Sequence, residues 1–393
     1  MKEINKIYLS QFFSGFAMIA AFTPLYFLSN GITQSQLGIL IGANILTLAL
    51  FDIPTGAIAD TFGHKTSVFL GTLIWSISYL ILFFAKGFPM FLLCMIIGGL
   101  GLSLVSGALT SLIYDILDKQ GKRDDFRKVY GRCNGIFLVA SVIAASIGGF
   151  IYQYQPNLIF LIAFIFTFIG AISILFVSWN FVGNKPSMPI YLGKIKNGFL
   201  VTISNKSLLS LIVMSIGLSF GIYVINNIKQ PFLVNRGFTV AQVGIILGLI
   251  SGVTALFYTY GHRILKRFGD FQALIVIAII AALSLFLISF SGPLIVVAFL
   301  IIYQLIRALS DQAVTHLQQQ QIADDKRATV NSTMSFFTIT IIAIALPLWG
   351  IVVDHIGINT SLVYLGLLTS IVTFLGFLFY RKSLRKINKD ISI

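Results

Sequence analysis

The chain has 393 residues, 57% of them apolar and only 10% charged, with a mean hydropathy of +0.94. Soluble domains lie nearer about 45–50% apolar and about 25% charged, so the composition excludes that class. Thirty-six Phe against two Cys likewise exclude a disordered or disulfide-stapled chain. A net charge of +14 would suit a nucleic-acid binder, but its distribution along the chain argues otherwise.

Apolar runs of spanning length occur at about 7–29, 36–59, 66–85, 88–117, 131–153 and 157–179. A second set follows at about 207–233, 240–261, 271–290, 293–317, 329–353 and 359–380. A bilayer core takes about 20 apolar residues per helix. The expectation is therefore an all-α polytopic membrane protein with twelve transmembrane helices in a lipid bilayer. With the N-terminus in the cytoplasm, 23 of the 27 Lys and Arg fall on the cytoplasmic side. The exceptions are Lys86, Lys229, Arg236 and Arg307. That is the positive-inside bias of a membrane protein with both termini cytoplasmic, and it accounts for the charge without nucleic acid. The first run is too long for a signal-peptide core and lacks a cleavage site, so it reads as a retained span. Cys94 and Cys133 sit in or beside apolar runs and read as small buried hydrophobes. No metal or other cofactor is called for.

The longest polar stretch, 180–206, divides an N-terminal bundle (1–179) from a C-terminal one (207–393). Within it Leu192, Ile195, Phe199 and Ile203 share one helical face, with Lys194 and Lys196 elsewhere. Either an amphipathic helix on the inner membrane surface or a plain linker fits. The two bundles carry a repeat: 31–63 aligns without gaps on 237–269 at an offset of 206, with twelve identities. These include Gly31/Gly237, Thr33/Thr239, Gln36/Gln242, Gly38/Gly244 and Gly63/Gly269. The halves are homologous and, with six spans each, related by a pseudo-two-fold along the membrane normal. Alternating-access transporters are built this way. The phosphate-loop lookalike Gly63-His64-Lys65-Thr66 lacks the upstream Gly, so the chain supplies no ATPase of its own.

Between the second and third spans the chain reads Gly56-Ala57-Ile58-Ala59-Asp60-Thr61-Phe62-Gly63-His64-Lys65. With the twelve spans and the half repeat, this resembles the G-x-x-x-D-x-x-G-R-K signature of the major facilitator superfamily. The resemblance implies two pseudo-two-fold-related six-helix bundles, a small-molecule substrate and a monomer. It implies a cytoplasmic gate motif of Gly56, Asp60, Gly63, His64 and Lys65, with Asp60 facing Arg327 at the start of the eleventh span. His64 stands where the signature has Arg, so a contact needing a permanent charge there is in question.

Ionisable residues inside spans are costly and read as functional. Asp52 lies two helical turns before Asp60, about 12 Å deeper, and is followed at one remove by Pro54. Burial favours the protonated form of a carboxylate, which makes Asp52 the first choice for proton coupling and Asp115 the second. The structural alternatives are an interfacial Asp52 paired with a loop Lys, and an interfacial Asp115 beside Asp118 and Lys119. Arg307 and Asp311 stand at i,i+4 on the tenth span and either fix a helix interface or line the cavity. Lys229, with Tyr223, Asn226 and Asn227, forms a polar patch; a Lys near a span end usually snorkels. Gln11, Tyr26, Asn44, Tyr223, Asn227, Gln304, Arg307 and Asp311 are the substrate-cavity candidates. Stripes of Gly99, Ser103, Gly107 and Ser111, and of Gly244, Gly248 and Gly252, are expected to allow close helix packing.

Two further signatures of drug–proton antiporters in this superfamily are only partly present. Met95 occupies the Arg position ahead of Gly99-Leu100-Gly101, and Ala144–Gly149 keeps the final glycines but lacks Gly-Pro. Small size and many Phe still resemble bacterial efflux proteins. The leading expectation is proton-coupled export of lipophilic or cationic molecules from a bacterial cytoplasmic membrane. The alternative is a carrier for a lipid or nutrient with other or no coupling. No His, Cys or carboxylate cluster supports an enzyme.

Overall fold

The computed structural model describes residues 2–178, 199–322 and 327–391. Among these, no strand occurs and eleven helices are long and apolar enough to cross a membrane. They are α1 (Lys2–Ser29, with a 3-10 stretch at Phe16–Phe22), α2 (Gln34–Phe62), α3 (His64–Phe84), α4 (Gly87–Lys119), α5 (Phe126–Tyr154) and α6 (Leu158–Leu175). Next come α7 (Lys206–Asn235), α8 (Val240–Phe268), α9 (Asp270–Phe290) and α10 (Pro293–Gln320). The last helical run, Arg327–Ile391, is 65 residues long and breaks at Gly357 (φ 75°, ψ 163°). A straight helix of that length would run about 100 Å against a hydrocarbon core of about 30 Å. Gly357 divides it into α11 (327–356) and α12 (358–391), which is where the sequence count of twelve and the eleven continuous runs differ. Most of the expected linker helix in 180–206 lies outside the described residues; 199–204 is helical.

The helix boundaries follow from the local sequence. Thr33 caps α2 by accepting from Gln36 N (3.2 Å), while Gln36 Oε1 accepts from Thr33 N (3.1 Å). Thr239 and Gln242 repeat this box at α8, at 3.3 and 2.9 Å. The Thr and Gln identities of the repeat are therefore paired capping boxes, which satisfy otherwise orphaned helix N–H groups. The glycine pairs are equally specific. Gly31 and Gly237 have φ 81° and 91°, and Gly63 and Gly269 have φ 96° and 76°. Side-chain-bearing residues rarely adopt this left-handed region.

The residues divide into two compact units: Met1–Met188 with Leu233–Gly252, and Pro189–Phe232 with Val253–Ile393. In the first, α4 packs between α2 and α3, and α6 against α1 and α3. Gly71 and Gly101 permit this approach, since a Cβ on Gly101 would lie 2.5 Å from Trp75 N. Gly107 and Gly252, by contrast, face open space, so those parts of the two small-residue stripes do not serve packing. A core of Ile4, Ile7, Ala59, Val68, Leu112, Ile113, Ile116, Cys133 and Ile174 binds one end of this unit. It gathers the ends of α1 to α6 around the α2–α3 turn. In the second unit, α9 packs against α10 and the Arg327–Ile391 run. Gly376 there sits 2.7 Å (as a built Cβ) from Met214 N of α7, and its counterpart at offset 206, Gly170, sits 2.8 Å from Ser14 Oγ of α1. In each unit a glycine of the last helix thus lies close against the first helix of that unit.

Candidate functional site

The α2–α3 turn places three sequence-predicted residues in direct contact. Gly63 ends α2, donating its N–H to Ala59 O at 2.9 Å, and α3 begins at once with His64. The His64 imidazole then lies between two carboxylates: Nδ1 is 2.6 Å from Asp115 Oδ2 of α4, and Nε2 is 3.4 Å from Asp60 Oδ1. Asp115, singled out for proton exchange, is here a partner of His64. Its sequence neighbour Asp118 pairs with Arg123 instead. Lys65 Nζ donates to Leu175 O at 2.8 Å and Lys6 Nζ to Phe176 O at 2.6 Å, so the end of α6 is tied to the same region. Gly56 has open space where its Cβ would be. Arg327 opens α11, and its side chain lies outside the described residues, as do Lys326 and the expected contact with Asp60.

Farther along α2, Asp52 is exposed and accepts from Ser106 Oγ of α4 at 2.5 Å. Among the described residues no cation pairs with it. Asn44 instead serves packing, donating Nδ2 to Met95 O at 2.8 Å. Gln11 and Tyr26 are buried; Tyr26 meets Phe160 edge-on at 4.8 Å, so it belongs to an aromatic core with Phe27 and Phe91.

The second unit gathers the remaining candidates. A cavity of about 210 Å³ is lined by Ser215, Ser219 and Tyr223 of α7, Ser310, Asp311, Thr315 and Gln318 of α10, and Met334, Ser335 and Thr338 of α11. Ser215 Oγ is buried there with no hydrogen-bond partner among the described residues. Asp311 Oδ2 accepts from Tyr258 Oη at 2.5 Å and lies 3.8 Å from Arg307 Nε, the expected same-face pair. One turn along α10, Gln304 Nε2 donates to Asn226 Oδ1 of α7 at 2.7 Å, and Lys229 Nζ donates to the same oxygen at 2.9 Å. Asn227 Nδ2 bonds Tyr223 O of its own helix at 2.7 Å. Lys229 does not snorkel to its near helix end. Helix side chains tilt toward the N-terminus, and this one turns back along α7 to Asn226.

Ser106, Tyr258, Ser215, Ser219 and Ser310 were not among the sequence-derived candidates. The repeat holds the signal for two of them. At offset 206, Asp52 corresponds to Tyr258, and Ser106 corresponds to Gln312, adjacent to Asp311. Both halves place a hydroxyl–carboxylate contact where the second and fourth helices of the half meet, with the acid on α2 in one and on α10 in the other.

Comparison with known proteins agrees with this architecture. The quinolone resistance protein NorA of Staphylococcus aureus is 25% identical over 240 residues, 60% of this chain. The chain spans about three fifths of that relative's length, 59%. An MFS-type transporter of Methanocaldococcus jannaschii is 24% identical over 393 residues, covering 96% of this chain and 98% of its own. Among solved structures, the nucleoside transporter NupG superposes with a TM-score of 0.81 at 14% identity, over 97% and 99% of the two chains. A bacterial homologue of the lysosomal transporter Spinster, inward-facing and unoccupied, gives 0.78 at 16%, over 98% and 96%. The family profile described as Major Facilitator Superfamily matches residues 7–338. With its helices, its repeat and its α2–α3 turn in that arrangement, the chain belongs to the major facilitator superfamily, a superfamily of multi-pass membrane transporters.

Proposed function

We propose that the protein exports amphipathic small molecules, in the manner of multidrug efflux, by alternating access coupled to proton exchange. The observation that carries this reading is Asp52. It is an exposed carboxylate on a membrane-spanning helix, touched by a hydroxyl and paired with no cation among the described residues. A charge there is costly in a membrane, and taking up a proton is the simplest way to discharge it. The resemblance to NorA supports the efflux class, since that relative is named for resistance to quinolones. Asp60, His64 and Asp115 form a latch in this reading: the imidazole holds two acids on neighbouring helices together when the cytoplasmic side is closed. The protein works as a monomer in a bacterial cytoplasmic membrane with both termini inside.

The test is transport of fluorescent lipophilic cations into proteoliposomes under an imposed pH gradient. Wild type should move dye in a gradient-dependent way, and Asp52→Asn should lose the dependence on the gradient. Dye movement that persists unchanged in Asp52→Asn would remove Asp52 from the coupling. No movement of any dye would end the efflux reading in favour of a nutrient or lipid carrier.

A further inference from the structure

We propose that Lys229 and Arg307, lying on either side of the Asn226–Gln304 amide pair, form an anion-binding subsite that takes the carboxylate of a transported solute. The inference rests on the amphipathic-solute reading above and narrows it to carboxylate-bearing molecules. It is independent of the direction of transport and of the coupling ion.

The argument starts from charge. Lys229 lies on a membrane-spanning helix, half-buried, and among the described residues it pairs with no carboxylate. Its one hydrogen bond goes to Asn226 Oδ1, an oxygen that Gln304 Nε2 already uses. Two ammonium hydrogens therefore remain for another acceptor. The acid on α10, Asp311, lies 3.8 Å from Arg307 and accepts from Tyr258. Arg307 lies one turn along α10 from Gln304, whose amide shares the Asn226 oxygen with Lys229. The face thus carries two cations against one acid, with the side chains of Arg307 and Asp311 40% and 42% exposed and so open to a ligand.

Leaving an ammonium uncompensated in this setting is unfavourable, and a second cation nearby makes it more so. A bound anion relieves both. The rise per residue puts Lys229 and Arg307 about 4.5 Å to either side of the amide pair along the helix axes, within reach of one ligand group for two long side chains. A carboxylate suits the planar guanidinium and the ammonium together. Asp311, one turn beyond Arg307, is left to face a cationic nitrogen on the same solute. Zwitterions fit this arrangement better than the plain cations that composition suggests.

The experiment uses the purified full-length protein in detergent and two fluorescent xanthene dyes identical except that one has a free carboxylate and the other its methyl ester. Fluorescence polarisation gives the affinity of each. Wild type should favour the free acid. Lys229→Gln should lower the acid-to-ester affinity ratio about tenfold, the usual scale of one charge-assisted hydrogen bond, and Lys229→Arg should restore it. Asn226→Asp, which supplies an acid of its own to the ammonium, should lower the ratio as well. This second variant serves if Lys229→Gln does not yield a monodisperse protein. An unchanged ratio in both Lys229→Gln and Asn226→Asp, or equal weakening of the two dyes, overturns the subsite and leaves Lys229 a structural residue. Ester binding without acid binding also overturns it, while the amphipathic-cation reading stands. Binding of neither dye brings down both.

Discussion

The His64 imidazole lies between the carboxylates of Asp60 and Asp115 and so joins the α2–α3 turn to α4. At this position the superfamily signature has an arginine, whose guanidinium carries a permanent charge. His64→Arg places that guanidinium there and is expected to preserve transport. His64→Ala removes the side chain that touches both Asp60 and Asp115 and is expected to slow transport by about tenfold, equivalent to about 1.4 kcal/mol. Initial rates in proteoliposomes at matched protein content decide it, and an alanine variant as fast as wild type would exclude the latch. The turn itself was legible in the sequence, since Gly56, Asp60 and Gly63 stand at fixed spacing. The third member of the contact was not, because Asp115 lies 51 residues from His64 and meets it only through the packing of α3 on α4. Lys229 shows the same limit. Its position near a helix end pointed outward, and the tilt of its side chain and the Asn226–Gln304 bond across helices turn it inward.

At the level of helices, backbone conformation and close approach give different kinds of glycine, and the two should respond differently to the same change. Gly63→Ala forces a side chain into positive φ and should cost about 1–2 kcal/mol, visible as a lower thermal midpoint in detergent. Gly101→Ala pushes a methyl group to 2.5 Å from the Trp75 backbone nitrogen, so α3 and α4 must separate, and a larger loss of folded protein is expected. Gly107→Ala has open space and the better helix propensity of Ala, so it should be neutral or stabilising by up to about 1 kcal/mol. If Gly101→Ala and Gly107→Ala behave alike, the placement of α4 is wrong. The sequence shows both glycines on a helix of the right length, yet nothing in a four-residue stripe says which of its members meets a neighbour. What it does reveal well are features that are local: the Thr–Gln capping boxes and the positive-φ glycines were visible as repeat identities because each is specified within a few residues.

For the molecule as a whole, the duplication is the feature most nearly written in the sequence, and the structure shows it in the paired capping boxes and positive-φ glycines. Orientation is a separate matter, since a duplicated bundle reads the same from either face. It rests on charge: 23 of 27 basic residues lie in the segments assigned to the cytoplasm. Basic residues in short loops resist translocation, so this bias is what the proposed orientation rests on. The four exceptions do not oppose it, because Lys229 and Arg307 lie within spans and only Lys86 and Arg236 fall in loops that this orientation places outside. A reporter that is active only outside the membrane, such as alkaline phosphatase, should therefore be silent when fused after Ile393 or within 180–206. It should be active when fused in the α3–α4 loop at Lys86. Activity at the C-terminus would invert the molecule and move the His64 latch to the outer face. The contacts of Lys229 with Asn226 and Gln304 would be the same in either orientation, because inverting the molecule leaves the chemistry that holds the solute unaltered.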